Sequence, residues 1–172
     1  MNIIKTFALL LCLLSSLAQA ETTLFGLTLG KSTLQEVQQT YTLKYINNTP
    51  GLLDSWNYYR VSGEQFNEPQ LHNATLFFDD AQTLGNILFI FSGSLSKYKE
   101  LEEQLSRQYP RIKISERFGN NRTDYENDTT HVSLAYTNNG TTLTFTDLKY
   151  RAAAFAVFEN NVREESNPKK EP

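Results

Sequence analysis

Two histidines, His72 and His131, are the residues best suited to proton transfer, because histidine changes charge near neutral pH. Both fall at the start of a predicted strand. Neither belongs to a His-x-His or His-x-x-x-His pair, and a metal site needs several donors that converge. The spacing therefore favours two partly exposed strand residues. A small hydrolase that uses His72 or His131 with an acid is the alternative.

Acidic residues alternate at Asp124, Glu126 and Asp128, as oxygen ligands do in a calcium-binding loop. Such a loop also needs a glycine at its sixth position and a glutamate at its twelfth. This chain has Thr129 and Ala135 there. A solvated loop is therefore favoured over a calcium site.

Other short patterns also lack the partners that chemistry requires. Asp79 and Asp80 lie at a predicted turn, where carboxylates usually accept hydrogen bonds from backbone amides. Ser94 lacks the G-x-S-x-G surroundings of a nucleophile elbow and is expected to cap a helix. Gly26 and Gly30 are not followed by the Lys-Ser/Thr pair of a phosphate-binding loop. We predict no catalytic residue, no metal and no cofactor.

The most suggestive cluster is Trp56, Tyr58, Tyr59 and Arg60, because Trp, Tyr and Arg dominate the hot spots of protein interfaces. Strand alternation puts Trp56, Tyr58 and Arg60 on one face and Tyr59 on the other. These four residues are the candidate interface. The alternative is that one of the two faces simply belongs to the core.

A β-hairpin is predicted to organise the elements around these residues. Two apolar runs, Leu71–Phe78 and Leu84–Phe91, flank a polar turn at residues 79–82. The second run is apolar on both faces, which is typical of a central strand.

Two helices are predicted from the spacing of apolar residues. Ser32 and Gln35 form a capping box for a helix that runs to about Tyr41. The second helix begins near Leu95 and is stopped by Pro110. Each helix presents one apolar stripe to the sheet.

The remaining segments are expected to be strands and a loop. Ile112 and Ile114 are predicted to point inward from a strand at residues 111–118. A polar loop at residues 119–130 follows, and strands then flank a primed turn at residues 138–140. Residues 152–158 are predicted to form a last strand, with a short alanine-rich helix as the alternative.

The predicted fold class is α+β, with an antiparallel sheet of about six or seven strands and two helices packed on one face. The order of elements suggests either two α-βββ units in tandem or one sheet with both helices on a face. Residues 21–158 are predicted to form a single domain, followed by a disordered charged tail at residues 159–172.

The first twenty residues are predicted to be a signal peptide that is cleaved after Ala20. Lys5 supplies its positive charge, an apolar run follows, and Ala18-Gln19-Ala20 forms the A-x-A cleavage site. The one cysteine, Cys12, lies in this segment, so the mature chain contains no cysteine and no disulfide. We expect a periplasmic protein with no integral membrane segment after cleavage.

The charge balance is mildly acidic, at −3 for the whole chain, and removal of Lys5 makes it −4. No basic stripe is present, so nucleic acid is not an expected partner.

The opening Phe25-Gly26-x-x-Leu29-Gly30-x-Ser32-x-x-Glu36-Val37, with Phe78-Asp79 and Leu84 in the hairpin, resembles small exported proteins of Gram-negative bacteria. The helix-then-three-strands order also resembles the small lipoprotein subunit of the outer-membrane β-barrel assembly machinery and the tandem units of the β-lactamase inhibitory protein. This resemblance implies an exported α+β domain. It carries over no functional residue.

The sequence therefore predicts an exported, non-catalytic binding protein, such as an inhibitor or an immunity-type partner of another exported protein. A cell-envelope factor that binds lipid or peptidoglycan is a second possibility, and it would need an apolar groove between the helices and the sheet.

Overall fold

The computed structural model describes residues 21–46, 57–93, 95–117 and 120–166. The elements within these residues, in chain order, are β1 (Thr23–Leu24), β2 (Leu27–Thr28), α1 (Leu34–Thr40), β3 (Lys44–Ile46), β4 (Asn57–Ser62), a 3₁₀ helix (Gly63–Phe66), β5 (Leu71–Phe78), β6 (Leu84–Phe91), α2 (Leu95–Ser106), β7 (Arg111–Arg117), β8 (Asn120–Glu126), β9 (Thr130–Thr137), β10 (Gly140–Asp147) and α3 (Leu148–Ser166). The fold class is α+β, as predicted.

Eight of the strands form one antiparallel sheet in the order β3-β4-β5-β6-β10-β9-β8-β7, while β1 and β2 form a separate two-stranded sheet. The main sheet consists of two four-stranded meanders whose last strands, β6 and β10, pair at the centre. A helix precedes each meander, so each half is an α-ββββ unit. The predicted count of six or seven strands is too low because β3 and β8 were missed.

The central hairpin has the predicted bounds, and its turn is held locally. The backbone N–H of Thr83 donates to a carboxylate oxygen of Asp79 at 2.8 Å. Asp79 therefore has the structural role that a turn carboxylate usually has.

Helix α1 begins one residue later than the sequence suggested. The hydroxyl of Thr33 accepts from the N–H of Glu36, and the Glu36 carboxylate accepts from the N–H of Thr33, which completes a capping box. The prediction of Ser32 and Gln35 as the capping pair is wrong. The Ser32 hydroxyl instead accepts from the N–H of Thr28 at 2.9 Å.

Both α1 and α2 pack on one face of the main sheet, which we call the helix face. Phe89 on β6 contacts Phe66, whose ring packs against Tyr41 at the end of α1. On the other half, the Tyr98 hydroxyl of α2 lies 2.8 Å from the Thr123 hydroxyl of β8. The core lies between these helices and the sheet, where Leu76, Ile87 and Leu134 are fully buried; the full set of core side chains extends across both halves.

Strand β7 is an edge strand that α2 does not cover. Ile112 and Ile114 are 54% and 53% exposed, so the prediction that they point into the core is wrong. The register slips between Arg111 and Lys113, and the last well-covered strand on this side is β8, where Tyr125 is fully buried. Residues 111–117 therefore form a strand, as the alternation predicted, but among the described residues no helix covers Ile112 or Ile114.

The segment after β10 is a helix, so the prediction of a last strand at residues 152–158 is wrong and the alternative of an alanine-rich helix is confirmed. A carboxylate oxygen of Asp147 accepts from the N–H groups of Lys149 and Tyr150, which caps the helix. Helix α3 continues to Ser166, past the boundary predicted at residue 158. In the part of the chain that the structure describes, no helix is long and apolar enough to cross a membrane.

Several predictions fall wholly or partly outside the described residues: the signal peptide at residues 1–20, Trp56, Ser94 and the last six residues of the tail.

The polar segment at residues 119–130 is mostly strand β8 and not a loop. The hairpin at residues 138–140 is present, with the positive φ on Gly140 (φ 120°) and not on the two asparagines, so the turn is not of the primed type.

Candidate functional site

The face of the main sheet opposite α1 and α2 is the candidate site, and we call it the Tyr58 face. Cross-strand register aligns its side chains in three rows. The first row is Ile46, Tyr58, Phe77, Asn86, Thr146, His131 and Glu126; the second is Lys44, Arg60, Thr75, Leu88, Thr144, Ser133, Asp124 and Lys113; the third is Ser62, Asn73, Ile90, Thr142, Ala135, Arg122 and Ser115.

The four predicted interface residues do not stay together. Tyr58 and Arg60 lie on the Tyr58 face, as alternation predicted. Tyr59 points to the helix face, where its ring lies 5.8 Å from that of Phe78. Trp56 lies outside the described residues. The expectation that one face of this strand belongs to the core is confirmed for the side of Tyr59, and the other face is directed away from α1 and α2.

The part of the Tyr58 face formed by β4, β5 and β6 carries four apolar side chains that are only partly buried. The Tyr58 and Phe77 rings lie 5.0 Å apart on neighbouring strands. Leu88 and Ile90 continue the apolar surface along β6, and all four side chains keep part of their area exposed to solvent. Apolar side chains that are grouped on a sheet and partly exposed make this surface a candidate interaction site.

Sequence reasoning missed Phe77, Leu88 and Ile90 as site residues. The signal for Leu88 and Ile90 was the apolar character of both faces of residues 84–91, and the signal for Phe77 was its position next to Phe78, which puts one aromatic ring on each face of β5. Helices α1 and α2 pack against only one of those faces, so the other is left as a partly exposed surface beside α3.

The outer strands of the Tyr58 face carry cations. Lys44 and Arg60 are directly opposite on β3 and β4, and both are exposed. At the other end, Lys113 on β7 is exposed, and the Arg122 side chain on β8 is 56% exposed. Within the described residues, Lys44, Arg60 and Lys113 form no ion pair.

His131 lies in a network of charged side chains on this face. Its Nδ1 atom lies 3.1 Å from Oε2 of Glu126, and its Nε2 atom lies 3.9 Å from Oδ1 of Asp124. Arg151 of α3 contacts Oε2 of Glu126 at 2.8 Å, and Arg122 contacts Asp124 at 2.9 Å. Both ring nitrogens therefore face carboxylates, which suits a structural network that joins β8, β9 and α3.

The two histidines do not form a common site. His72 is exposed at the register shift in β5 and lies near Phe91, the last residue of β6. His131 lies level with Asn86, near the first residues of β6. Strand spacings place them roughly 20 Å apart. Of the two histidines, His131 is the one that the described residues place beside carboxylates, which is the arrangement that the hydrolase alternative requires of a single histidine.

The three acidic residues that alternate in the sequence, Asp124, Glu126 and Asp128, do not share one position in the structure. Asp124 and Glu126 lie on β8 with paired cations, while Asp128 is exposed in the turn after it. The described residues contain no group of three or more His, Cys, Asp or Glu side chains positioned to hold a metal ion.

Helix α3 joins the sheet beside the first row. The Tyr150 ring lies against the backbone of Gly85. Burial, with smaller contributions from Tyr58 and Asp79, raises the pKa of Tyr150 far above its ordinary value. Beside this contact lies a half-open cleft of about 700 Å³ with apolar walls that include Leu29, Leu84 and Val157, and with acidic residues on its rim.

Comparison with known proteins adds no relative: no family model, no curated protein and no solved structure matches the chain.

Proposed function

We propose that the chain is an exported, non-catalytic binding protein that docks another exported protein on its Tyr58 face. The observation that carries the proposal is the partly exposed apolar centre of this face, formed by Tyr58, Phe77, Leu88 and Ile90. Aromatic and aliphatic side chains on a sheet are held in place by their strands, so they lose little entropy when a partner covers them.

The dimensions of the Tyr58 face suit a protein partner. Eight strands span roughly 34 Å and the three rows span roughly 14 Å along the strands. These dimensions enclose roughly 480 Å² in projection, and side chains around the rim would supply the rest of the ~800 Å² that each partner buries in a standard interface. An apolar centre with a polar rim is also the usual arrangement of such interfaces.

Inhibitor or immunity-type binding is the narrower form of this proposal. Proteins of that kind bind through a rigid surface, because a preorganised surface avoids the cost of ordering loops on association. The central apolar side chains lie on β4, β5 and β6, which are paired on both sides. The side chains proposed to contribute most of the binding free energy therefore lie on strands that are hydrogen-bonded on both sides.

Affinity capture with a surface-directed variant tests the proposal. The purified chain is immobilised and exposed to periplasmic extract of the organism that produces it, beside the variants Leu88→Glu and Lys99→Glu. Lys99 is exposed on α2, on the opposite side of the sheet, and serves as the matched control. We expect one stoichiometric protein on the unaltered chain and on Lys99→Glu, and at least tenfold less on Leu88→Glu.

Equal retention by all three chains, or no stoichiometric protein on any of them, would overturn the proposal. Unfolding curves of the variants show whether Leu88→Glu keeps the fold. Sequencing of the amino terminus of the purified chain tests export, with cleavage after Ala20 as the expected result.

The cleft beside α3 supports the second candidate, an envelope factor that binds lipid or peptidoglycan. Its walls are partly apolar, but Asp79, Asp80 and Asp147 line it, which does not suit an anionic lipid headgroup. Peptidoglycan stems carry ammonium groups that such a rim can receive. Co-sedimentation with purified peptidoglycan that Asp80→Asn abolishes would favour this candidate over the Tyr58 face.

A further inference from the structure

We infer that the partner of the Tyr58 face is an acidic protein that presents an apolar centre between two groups of carboxylates. This inference rests on the proposed function and adds the chemistry of the partner. Its basis is the distribution of charge across the sheet.

The Tyr58 face is cationic on a chain that is acidic overall. Four cationic side chains lie in its rows, Lys44, Arg60, Lys113 and Arg122, against two carboxylates, Asp124 and Glu126, which leaves an excess of two positive charges. The whole chain has a net charge of −3. Positive charge is thus concentrated on the one sheet face that α1 and α2 leave uncovered.

The two carboxylates are already paired, but several of the cations are not. Asp124 contacts Arg122, and Glu126 contacts Arg151. Lys44, Arg60 and Lys113 have no ion-pair partner among the described residues and are exposed. Exposed cations at a rim contribute to the rate and specificity of association more than to its final affinity.

The positions of these cations define the shape of the partner. Lys44 and Arg60 lie on the first two strands, and Lys113 lies on the last strand of the sheet order. Seven strand spacings, roughly 34 Å, separate Lys44 from Lys113. A complementary partner therefore needs carboxylates at two places separated by roughly that distance, with apolar side chains between them.

An anionic membrane is a poorer match for the same charges. Neighbouring strands rotate by roughly 20° relative to one another, so the two cationic ends of an eight-stranded sheet do not lie in one plane. A flat bilayer cannot contact both ends together. Leu88 and Ile90 are also only partly exposed, whereas a membrane anchor buries its apolar side chains in the bilayer interface.

Charge reversal at each end tests the inference. The immobilised chain and the variants Arg60→Glu, Lys113→Glu and Leu88→Glu are exposed to nuclease-treated periplasmic extract at low and high salt, with Lys99→Glu as the control. We expect an acidic protein whose association slows at least tenfold with either rim variant and with high salt. Lys99→Glu should behave as the unaltered chain does.

The outcomes separate the inference from the proposed function. Loss of binding with Leu88→Glu, but not with Arg60→Glu, Lys113→Glu or salt, would overturn the acidic partner and leave the Tyr58 face as a binding site. Binding unaffected by Leu88→Glu would overturn both. Leu88-dependent binding to phosphatidylglycerol vesicles without a captured protein would identify a membrane as the partner and overturn the inference.

Discussion

The Tyr150 ring of α3 lies so close to Gly85 of β6 that a β-carbon on residue 85 would come within 1.8 Å of its Cδ2 atom. Glycine at this position is therefore required by a neighbouring side chain and not by its own backbone angles. The register of β5 and β6 shifts beside Gly85, between Phe77 and Phe78. This contact fixes where α3 leaves the sheet, at one side of the Tyr58 face.

Gly85→Ala should destabilise the protein, because the ring of Tyr150 must move out of its place. Overpacking of this kind costs roughly 1–3 kcal/mol of the free energy of unfolding. Chemical denaturation of the variant measures this loss.

The double variant Gly85→Ala/Tyr150→Ala is the matched control. Without the ring, the added methyl group has room, so Gly85→Ala should cost less than about 0.5 kcal/mol in the Tyr150→Ala background. An equal cost in both backgrounds would show that Tyr150 is not what excludes a side chain at residue 85.

Stability should fall as the pH rises above the ordinary tyrosine pKa of 10.0, because burial raises the pKa of Tyr150 in the folded state. Above that pH the unfolded chain loses the phenol proton while the folded chain keeps it, so alkali favours unfolding. Below that pH the two states hold the same proton and this contribution to stability is complete. Tyr150→Phe should make the decline between about pH 9 and 11 shallower, and an unchanged slope would contradict this explanation.

Glu126→Gln should loosen the attachment of α3, because Glu126 is the shared partner of His131 and Arg151. The pairs are partly exposed, so the expected loss is modest, about 1 kcal/mol of unfolding free energy. Asp128→Asn, in the exposed turn that follows β8, should change stability much less. Urea denaturation of both variants at neutral pH makes the comparison, and equal losses would deny Glu126 a special role.

Ile114→Ala and Ile87→Ala form a matched pair that tests the position of the core. Ile114 is 53% exposed on an edge strand, whereas Ile87 is fully buried. Ile87→Ala should cost about 2–5 kcal/mol through the cavity that it leaves. Ile114→Ala should cost less than about 1 kcal/mol, and a comparable cost would mean that something covers β7.

The central hairpin could be predicted to the residue, because two long apolar runs and a turn carboxylate specify it locally. The same local signals failed for β8. Its buried core-facing residues are Thr123 and Tyr125, while Arg122, Asp124 and Glu126 face the Tyr58 side and are charged, so the segment resembled a loop. Helix α3 was ambiguous for the opposite reason, since a continuous apolar run fits a buried strand and a helix equally well.

The candidate site was predictable in part. Alternation along β4 placed Tyr58 and Arg60 on one face and Tyr59 on the other. It did not indicate which face the helices cover, because that depends on contacts such as Tyr98 with Thr123, which are distant in sequence. The meeting of His131, Glu126 and Arg151 depends likewise on three separate elements.

Photo-cross-linking in the intact cell envelope tests the central claim most directly. A photoreactive residue is placed at position 88, in the centre of the Tyr58 face, or at position 99 on α2 as the control. We predict one discrete adduct with an acidic protein from position 88 and none of that mass from position 99. The same adduct from both positions, or no protein adduct from position 88 in a correctly folded chain, would contradict a binding role for the Tyr58 face.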